Sequence, residues 1–246
     1  MQMLEHLGSM GTFFFRWRGY LSLLLLPIIL LSFMGFSYRI GSPVFEFLWE
    51  VSCLLISLVG LSVRGLTIGT IPRGTSGRGT KSPRADVLNT AGMYSIVRHP
   101  LYLGNFLIVL GISLFSRSWA LPIIISLASM LHYERVIWHE EKYLERKFGD
   151  EFRAWAARVP IIIPRFRNYQ PPGLSFSWKA AVKREFYGLF GISAVFLGLD
   201  TFGDFVVYQK IQFDPMWMLL FIIGLIFFAL MQFLKKGASL LKVSGR

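Results

Sequence analysis

Long apolar runs, interrupted by short segments that hold nearly all the charge, most constrain the fold of this chain. Of its 246 residues, 54% are hydrophobic and 16% aromatic, and the mean hydropathy is +0.52. A soluble domain averages about 45–50% apolar residues. Runs of this length with few or no charges are typical of membrane-spanning helices. The chain is therefore predicted to be an all-α, polytopic integral membrane protein.

Six apolar runs are predicted to be membrane-spanning helices. They cover residues 20–38, 44–68, 101–115, 119–133, 186–199 and 215–234. The third, fourth and fifth are short for a bilayer that requires about 20 residues, so their ends must extend into the flanking sequence. Asp200 and Asp204 crowd the end of the fifth run.

The distribution of Lys and Arg predicts the orientation, because short cytoplasmic loops carry the positive excess. With six spans, the 26 Lys and Arg residues fall on one side except for Arg39, Arg117 and Lys210. Both termini are therefore expected in the cytoplasm of a bacterial inner membrane or an endoplasmic reticulum, and the N-terminal run is interpreted as an uncleaved anchor. This topology explains the net charge of +12 better than binding to nucleic acid does.

The sequence does not favour a metal site. Cys53 is the single cysteine and lies inside an apolar run, so neither a disulfide framework nor a cysteine-based metal site is expected. The histidines are too scattered for a histidine-rich centre and form no HExxH motif. They are His6, His99, His132 and His139.

The fourth span is predicted to leave the membrane as a continuous helix, because residues 132–148 are rich in helix formers and lack Pro and Gly. Its 3.6-residue period places one carboxylate, Glu140, on an apolar stripe. The stripe is Tyr133, Ile137, Glu140, Leu144 and Phe148. An acid there costs free energy unless it is paired, so Glu140 is either half of an internal ion pair or a ligand-binding group. Glu141 and Glu145, with nearby basic residues, are predicted to lie on a solvated face of the helix.

A second polar group stands where the third run begins. Pro100 can start a helix, since its missing N–H is one of the unpaired donors there, and this places Arg98 and His99 at the helix N-terminus. From physical chemistry alone, Arg98 reaches a lipid phosphate, and Tyr94 and Tyr102 belong to an interfacial aromatic belt. The other interpretation is a binding site.

These residues form three motifs on the basic side: Gly92-x-Tyr94-x-x-x-Arg98-His99-Pro100-x-Tyr102-x-Gly104, then Glu140-Glu141, then Phe148-Gly149-x-Glu151-Phe152 with Arg158-Val159-Pro160. Together they resemble the isoprenylcysteine carboxyl methyltransferase family, whose wider group includes membrane phospholipid N-methyltransferases. The resemblance covers roughly residues 60–166. It implies an N-terminal membrane hairpin at 1–59, a methyltransferase core at 60–166 and a C-terminal extension at 167–246 with two further spans.

The resemblance implies a methyltransferase that uses S-adenosyl-L-methionine on the cytoplasmic side and takes its acceptor from within the bilayer. The acceptor is a membrane lipid or a lipidated substrate: a prenylcysteine carboxylate, a lipid phosphate or a lipid amine. The implied cofactor contacts are Asp86, Val87, Leu88, Asn89, Tyr94, His99, Pro100, Leu101, Tyr102 and Glu140. The implied catalytic residues are Glu140, Arg98 and Arg135, with Glu140 facing the cofactor's positive charge and an arginine holding an anionic acceptor. An amine acceptor would require a base, His99 or Glu140.

One position departs from the family pattern. The prenylcysteine enzymes have an arginine four residues before the glutamate, whereas this chain has Val136 there and Arg135 one position earlier. A shift of one residue turns a helical side chain by about 100°. This departure therefore argues against a prenylcysteine substrate more than it argues against methyl transfer. Two other functions stay open: a membrane sterol or steroid reductase that uses NADPH, and a non-catalytic scaffold in which Arg98 pairs with Glu140.

Overall fold

The computed structural model describes residues 25–33, 42–72, 74–75 and 85–237. Within these ranges the chain forms seven α-helices and two 3-10 turns, and no strand. The helices are α1 Leu25–Ser32, α2 Pro43–Thr70, α3 Pro100–Phe115, α4 Ala120–Phe148, α5 Asp150–Ala156, α6 Trp178–Tyr208 and α7 Pro215–Gly237; the turns are Gly92–Ser95 and Phe166–Asn168. The predicted all-α class is confirmed.

Five of the six predicted membrane spans coincide in place with whole helices of the described chain, and four of these helices are long enough to cross a membrane. α2, α4, α6 and α7 are long and apolar enough to cross a membrane, and α3 is a shorter apolar helix that measures about 24 Å. The first predicted span, 20–38, is represented by α1, and its remainder lies outside the described residues. The protein is an integral membrane protein.

The fifth apolar run extends into the flanking sequence, as predicted from its short length. The run at 186–199 is the middle of α6, which has 31 residues and begins after Ser177, whose hydroxyl accepts a hydrogen bond from the backbone N–H of Ala180. Three acidic residues lie inside the helix, among them Glu185 and Asp200, both buried. Asp200 and Asp204, which crowd the end of the apolar run in the sequence, are thus part of the helix.

The continuous fourth helix is confirmed. α4 runs for 29 residues without a break and ends at Gly149. The φ of Gly149 is +54°, a value that glycine adopts without the steric penalty of a side chain. The chain turns at this residue into α5, which folds back toward the start of α3.

A buried apolar cluster packs the ends of the helices distant from the three motifs. It takes side chains from every membrane helix, including Phe115 of α3, Phe196 of α6 and Trp217 of α7. The ring centroids of these three residues lie 5.2–5.6 Å apart, distances typical of favourable aromatic pairs. The two C-terminal helices therefore share one core with the preceding ones.

Glycines bring α2 and α3 into backbone contact. A Cβ at Gly60 would lie 2.5 Å from the carbonyl oxygen of Gly104, and a Cβ at Gly111 would lie 2.4 Å from that of Cys53. Small residues allow this close approach of helices in membranes. The pairing of α2 with α3 fixes the start of α3, where the polar residues stand.

We expect Gly111→Ala to lower the free energy of unfolding by about 1–3 kcal/mol, because the added methyl group overpacks the α2–α3 contact. The control is Gly191→Ala on α6, where an added Cβ has no atom of the described chain within 4 Å. Thermal unfolding in detergent compares the two variants. Equal stability would contradict the packing described here.

Candidate functional site

Glu140 of α4 faces the first turn of α3. The hydroxyl of Tyr102 donates a hydrogen bond of 2.6 Å to Glu140 Oε1, and His99 Nδ1 lies 3.7 Å from Glu140 Oε2. The rings of His99 and Tyr102 stack with centroids 5.7 Å apart. The structure thus brings together three of the predicted site residues, and 23% of the Glu140 side chain stays exposed.

The second carboxylate of the pair, Glu141, is part of the same assembly. Arg98 Nη1 lies 3.0 Å from both Glu141 oxygens, and His99 Nε2 lies 3.0 Å from Glu141 Oε1. The prediction that Glu141 belongs to a solvated face was wrong, because Arg98 and His99, the two residues before α3, contact its carboxylate. Glu145, one turn further along α4, is exposed and bonds to Arg153 at the surface.

Arg98 joins the start of α3 to the segment after α5. Its Nε donates to the carbonyl oxygen of Val159 at 2.9 Å, and its backbone N–H donates to that of Pro160 at 2.9 Å. The interpretation in which Arg98 reaches a lipid phosphate was therefore wrong, as was a pairing of Arg98 with Glu140. The guanidinium instead connects the Arg-His-Pro motif, the glutamate pair and the Val-Pro motif.

An apolar cluster lies beneath these polar contacts. Its buried members are Leu88, Phe152, Trp155 and Val159, and Tyr94, Leu144, Phe148 and Ala156 pack against it. Leu144 and Phe148 belong to the predicted apolar stripe of α4. Trp155 Nε1 donates to the carbonyl oxygen of Tyr94 at 3.0 Å. Burial raises the pKa of the Tyr94 phenol, and the charge of nearby Glu140 raises it further, so Tyr94 stays neutral.

The segment 85–89 runs beside the end of α4. Lys147 Nζ donates to the carbonyl oxygen of Ala85 at 2.5 Å, and the side chain of Leu88 is buried in the apolar cluster. Asp86 and Val87 are exposed, and Asn89 is half-buried. Anchored at Ala85 and Leu88, the segment carries accessible residues next to the assembly around Glu140.

Aromatic rings extend the site toward the membrane. Tyr102 stacks on Tyr133 of α4 with ring centroids 5.0 Å apart and an interplanar angle of 24°. Pro100 is buried as the first residue of α3, and Leu101 beside it is half-buried. A carboxylate with stacked aromatic rings is a set of groups that attracts a cation.

Arg135 stands apart from the glutamate assembly. It is half-buried on α4 and has no hydrogen bond or ion pair within the described part of the chain. Val136, at the position where the family pattern has an arginine, is fully buried. The same residue ranges contain no group of three or more His, Cys, Asp and Glu residues that could hold a metal ion.

Sequence reasoning missed a polar cluster deeper between the helices. Arg64 of α2 pairs with Glu185 of α6 and bonds to Asn105 of α3. The sequence does contain one indication of this cluster: Arg64 is an ionisable residue inside an apolar run, and such a residue is by default a candidate for a functional position. The pairing itself joins residues 121 positions apart, which one sequence does not reveal.

Comparisons with known proteins match the part of the chain that carries this assembly. A family model described as phospholipid methyltransferase matches residues 77–151. The cobalt-zinc-cadmium resistance protein CzcN of Cupriavidus metallidurans is 31% identical over 173 residues, which cover 70% of this chain and 76% of that relative. The match therefore extends well beyond the region of the motifs.

Two further relatives match over shorter stretches. The nickel-cobalt-cadmium resistance protein NccN of Alcaligenes xylosoxydans xylosoxydans is 40% identical over 83 residues, covering 34% of this chain and 38% of the relative. The protein-S-isoprenylcysteine O-methyltransferase of Schizosaccharomyces pombe is 33% identical over 85 residues, covering 35% and 36%. No solved structure matches the chain.

Proposed function

The chain belongs to the isoprenylcysteine carboxyl methyltransferase-like family of membrane methyltransferases, and on this premise we propose that it transfers a methyl group from S-adenosyl-L-methionine to a lipid or lipidated acceptor in the membrane. The observation that carries the proposal is the Glu140 carboxylate, held by Tyr102 at the start of α3 while part of its surface stays exposed.

The residues around Glu140 fit this cofactor chemically. S-adenosyl-L-methionine carries a positively charged sulfonium, and a carboxylate beside the stacked rings of Tyr102 and Tyr133 attracts such a cation. The backbone of residues 86–89 supplies polar groups next to the end of α4. Tyr94, His99, Pro100 and Leu101 complete the proposed contacts, with Pro100 fixing the start of α3.

Each residue has a proposed task. Glu140 binds the cationic cofactor, and Tyr102 orients Glu140 through the 2.6 Å hydrogen bond. Arg98 is a positioning residue, since Glu141 and the Val159 carbonyl group engage it, and His99, a proposed cofactor contact, is held by Glu141. Arg135 remains a proposed contact of the acceptor.

S-adenosyl-L-methionine, held by Glu140 and the residues around it, would supply a transferable methyl group on its sulfonium. An acceptor that is already anionic needs no general base. The protein's task is then to position the acceptor, exclude water and stabilise charge.

We place the site on the cytoplasmic side of the membrane. Support comes from the basic residues that follow α4, because short cytoplasmic segments carry the positive excess. They include Arg146, Lys147, Arg153, Arg158, Arg165 and Arg167. The opposite ends of the helices carry Arg117 and Lys210.

Methyl-labelled S-adenosyl-L-methionine, supplied to membranes that contain the protein, tests the proposed function. We expect label in the lipid fraction, and chromatography identifies the labelled species. Release of the label by mild base indicates a carboxyl methyl ester, whereas retention indicates a methylated amine or a methylated phosphate. Membranes that gain no label over those lacking the protein would contradict the proposal.

Tyr102→Phe isolates the orienting hydrogen bond, because phenylalanine keeps the ring stack. A hydrogen bond to a charged group is worth about 1.5–3 kcal/mol, so its loss is expected to weaken cofactor binding by roughly 10- to 150-fold. Isothermal titration calorimetry of purified protein with S-adenosyl-L-methionine measures the change in the dissociation constant. The control is Tyr169→Phe, an exposed tyrosine in the segment before α6, which should bind as the unaltered protein does.

A cellular role follows as a second proposal. Since two relatives are metal-resistance proteins, we propose that methyl transfer by this chain contributes to resistance against divalent metal cations. Cells that produce the Glu140→Gln variant should lose resistance to zinc, cobalt or cadmium to the same extent as cells without the protein. Full resistance with that variant would contradict a role for methyl transfer.

A further inference from the structure

A polar cluster lies about one helical turn deeper than Tyr102. Arg64 Nε is 2.7 Å from Glu185 Oε2, and Arg64 Nη2 is 2.8 Å from Glu185 Oε1, so the pair is bidentate. Arg64 Nη1 donates to Asn105 Oδ1. The cluster joins α2, α3 and α6, and α6 belongs to the C-terminal extension that the family resemblance does not cover.

The Arg64 side chain packs against Gly104, the last residue of the motif that contains Arg-His-Pro. A Cβ at Gly104 would lie 2.5 Å from Arg64 Cγ and 3.2 Å from Arg64 Cδ. Gly104 closes the pattern that begins at Gly92 and contains Arg-His-Pro. The arginine stem therefore crosses α3 at the motif glycine, which places the guanidinium beside the proposed methyl-transfer site.

Neighbouring side chains connect this polar cluster with the carboxylate of Glu140. Asn105 follows Tyr102 by three residues on α3, so the two share a helix face. Tyr133, stacked on Tyr102, lies beside the side chain of Asn105. A continuous path thus runs from Glu140 through Tyr102 and Tyr133 to Asn105 and then Arg64.

We propose that Arg64 binds the anionic group of the membrane acceptor, a carboxylate or a phosphate, and that Glu185 of the extension holds Arg64 in place. This inference rests on the proposed function. Three of the five guanidinium N–H donors are engaged by Glu185 and Asn105, which leaves one on each terminal nitrogen. The side chain of Arg64 is 22% exposed and that of Glu185 is 8% exposed, so Arg64 is the member that a ligand reaches.

The chemistry of the cluster favours an acid over an amine as acceptor. An anionic oxygen attacks the methyl carbon directly and no proton has to be removed. An ammonium headgroup needs a base, and Glu185 is committed to Arg64 through both of its oxygens. The guanidinium offers fixed, paired donors suited to carboxylate and phosphate.

A structural ion pair elsewhere in the chain provides the matched control. Arg117, between α3 and α4, lies 3.4 Å from Glu46 and 3.1 Å from Glu50. Its side chain is 5% exposed, and it stands at the opposite ends of the helices. Arg117→Gln removes a buried arginine from an ion pair without touching the proposed site.

The test uses purified protein in phosphatidylcholine vesicles that contain farnesylcysteine, phosphatidic acid or phosphatidylethanolamine as probe. We expect methyl label in one or both acidic probes, and the arm that gains label identifies the acceptor as carboxylate or phosphate. Arg64→Lys should raise the KM for the labelled probe at least tenfold, while the affinity for S-adenosyl-L-methionine changes less than twofold. Arg117→Gln should leave the KM unchanged.

The exchange variant Arg64→Glu/Glu185→Arg separates binding from stability. It restores an ion pair, so we expect it to recover thermal stability lost in Arg64→Gln but not the KM for the probe. Recovery of both, an unchanged KM in Arg64→Lys, label in phosphatidylethanolamine alone or label in none of the probes would overturn the inference. Failure of the unaltered protein to bind S-adenosyl-L-methionine would instead contradict the proposed function.

Discussion

Glu140→Gln is expected to reduce methyl transfer at least about 100-fold, the order of effect seen when one charge-stabilising group is removed from an active site. Glutamine keeps the length of the side chain and still accepts the hydrogen bond from Tyr102. It lacks the negative charge that attracts a sulfonium. Transfer of methyl label to lipid measures the activity, and thermal unfolding in detergent shows that the variant is folded.

Glu145→Gln is the matched control on the same helix. Glu145 lies about one turn beyond Glu140, is 47% exposed and pairs with Arg153 at the surface. We expect its activity to stay within about twofold of the unaltered protein, because an exposed pair contributes about 0–1 kcal/mol. Equal activity of the Glu140 and Glu145 variants would refute the site assignment.

Glu141→Gln is expected to have the largest effect on stability, about 1.5–3 kcal/mol, the range for hydrogen bonds to charged groups. The carboxylate receives both Arg98 and His99, and Arg98 in turn holds the segment at Val159 and Pro160. Without the carboxylate charge, Arg98 is left with weaker partners in a half-buried position. Glu145→Gln again provides the comparison.

The two glutamate variants should differ in kind. Glu140→Gln is expected to lose activity with little change in thermal stability, whereas Glu141→Gln should lose both. A midpoint of unfolding for Glu141→Gln within about 1 °C of the control would contradict the role of Arg98 as a connector between motifs.

Local periodicity predicted the helices well, because burial in a membrane leaves a strong one-dimensional signal. The unbroken course of α4 and its end at Gly149 followed from residue type alone. The placement of Glu140 on an apolar stripe also held, since Leu144 and Phe148 pack in the cluster with Leu88.

Long-range pairs were not predictable in the same way. Glu141 looked solvated because a helical wheel shows only one helix, whereas its partners Arg98 and His99 come from a segment about 40 residues earlier. Arg64 was counted with the basic loops, yet it lies inside α2 and bonds across to α6. Such contacts depend on how helices pack, which one sequence does not encode locally.

The comparisons bear on the functions left open by the sequence. They support a membrane methyltransferase and give no support to a reductase or a scaffold. The geometry agrees with this outcome in one respect, since the Arg98–Glu140 pair required by the scaffold interpretation is replaced by Arg98–Glu141.

The most direct measurement of the central claim is the affinity of purified protein for S-adenosyl-L-methionine, compared between the unaltered chain and Glu140→Gln. We predict saturable binding by the unaltered chain and by Glu145→Gln, and binding weakened at least tenfold in Glu140→Gln. Equal affinity in all three proteins, or no binding by the unaltered chain, would contradict the account.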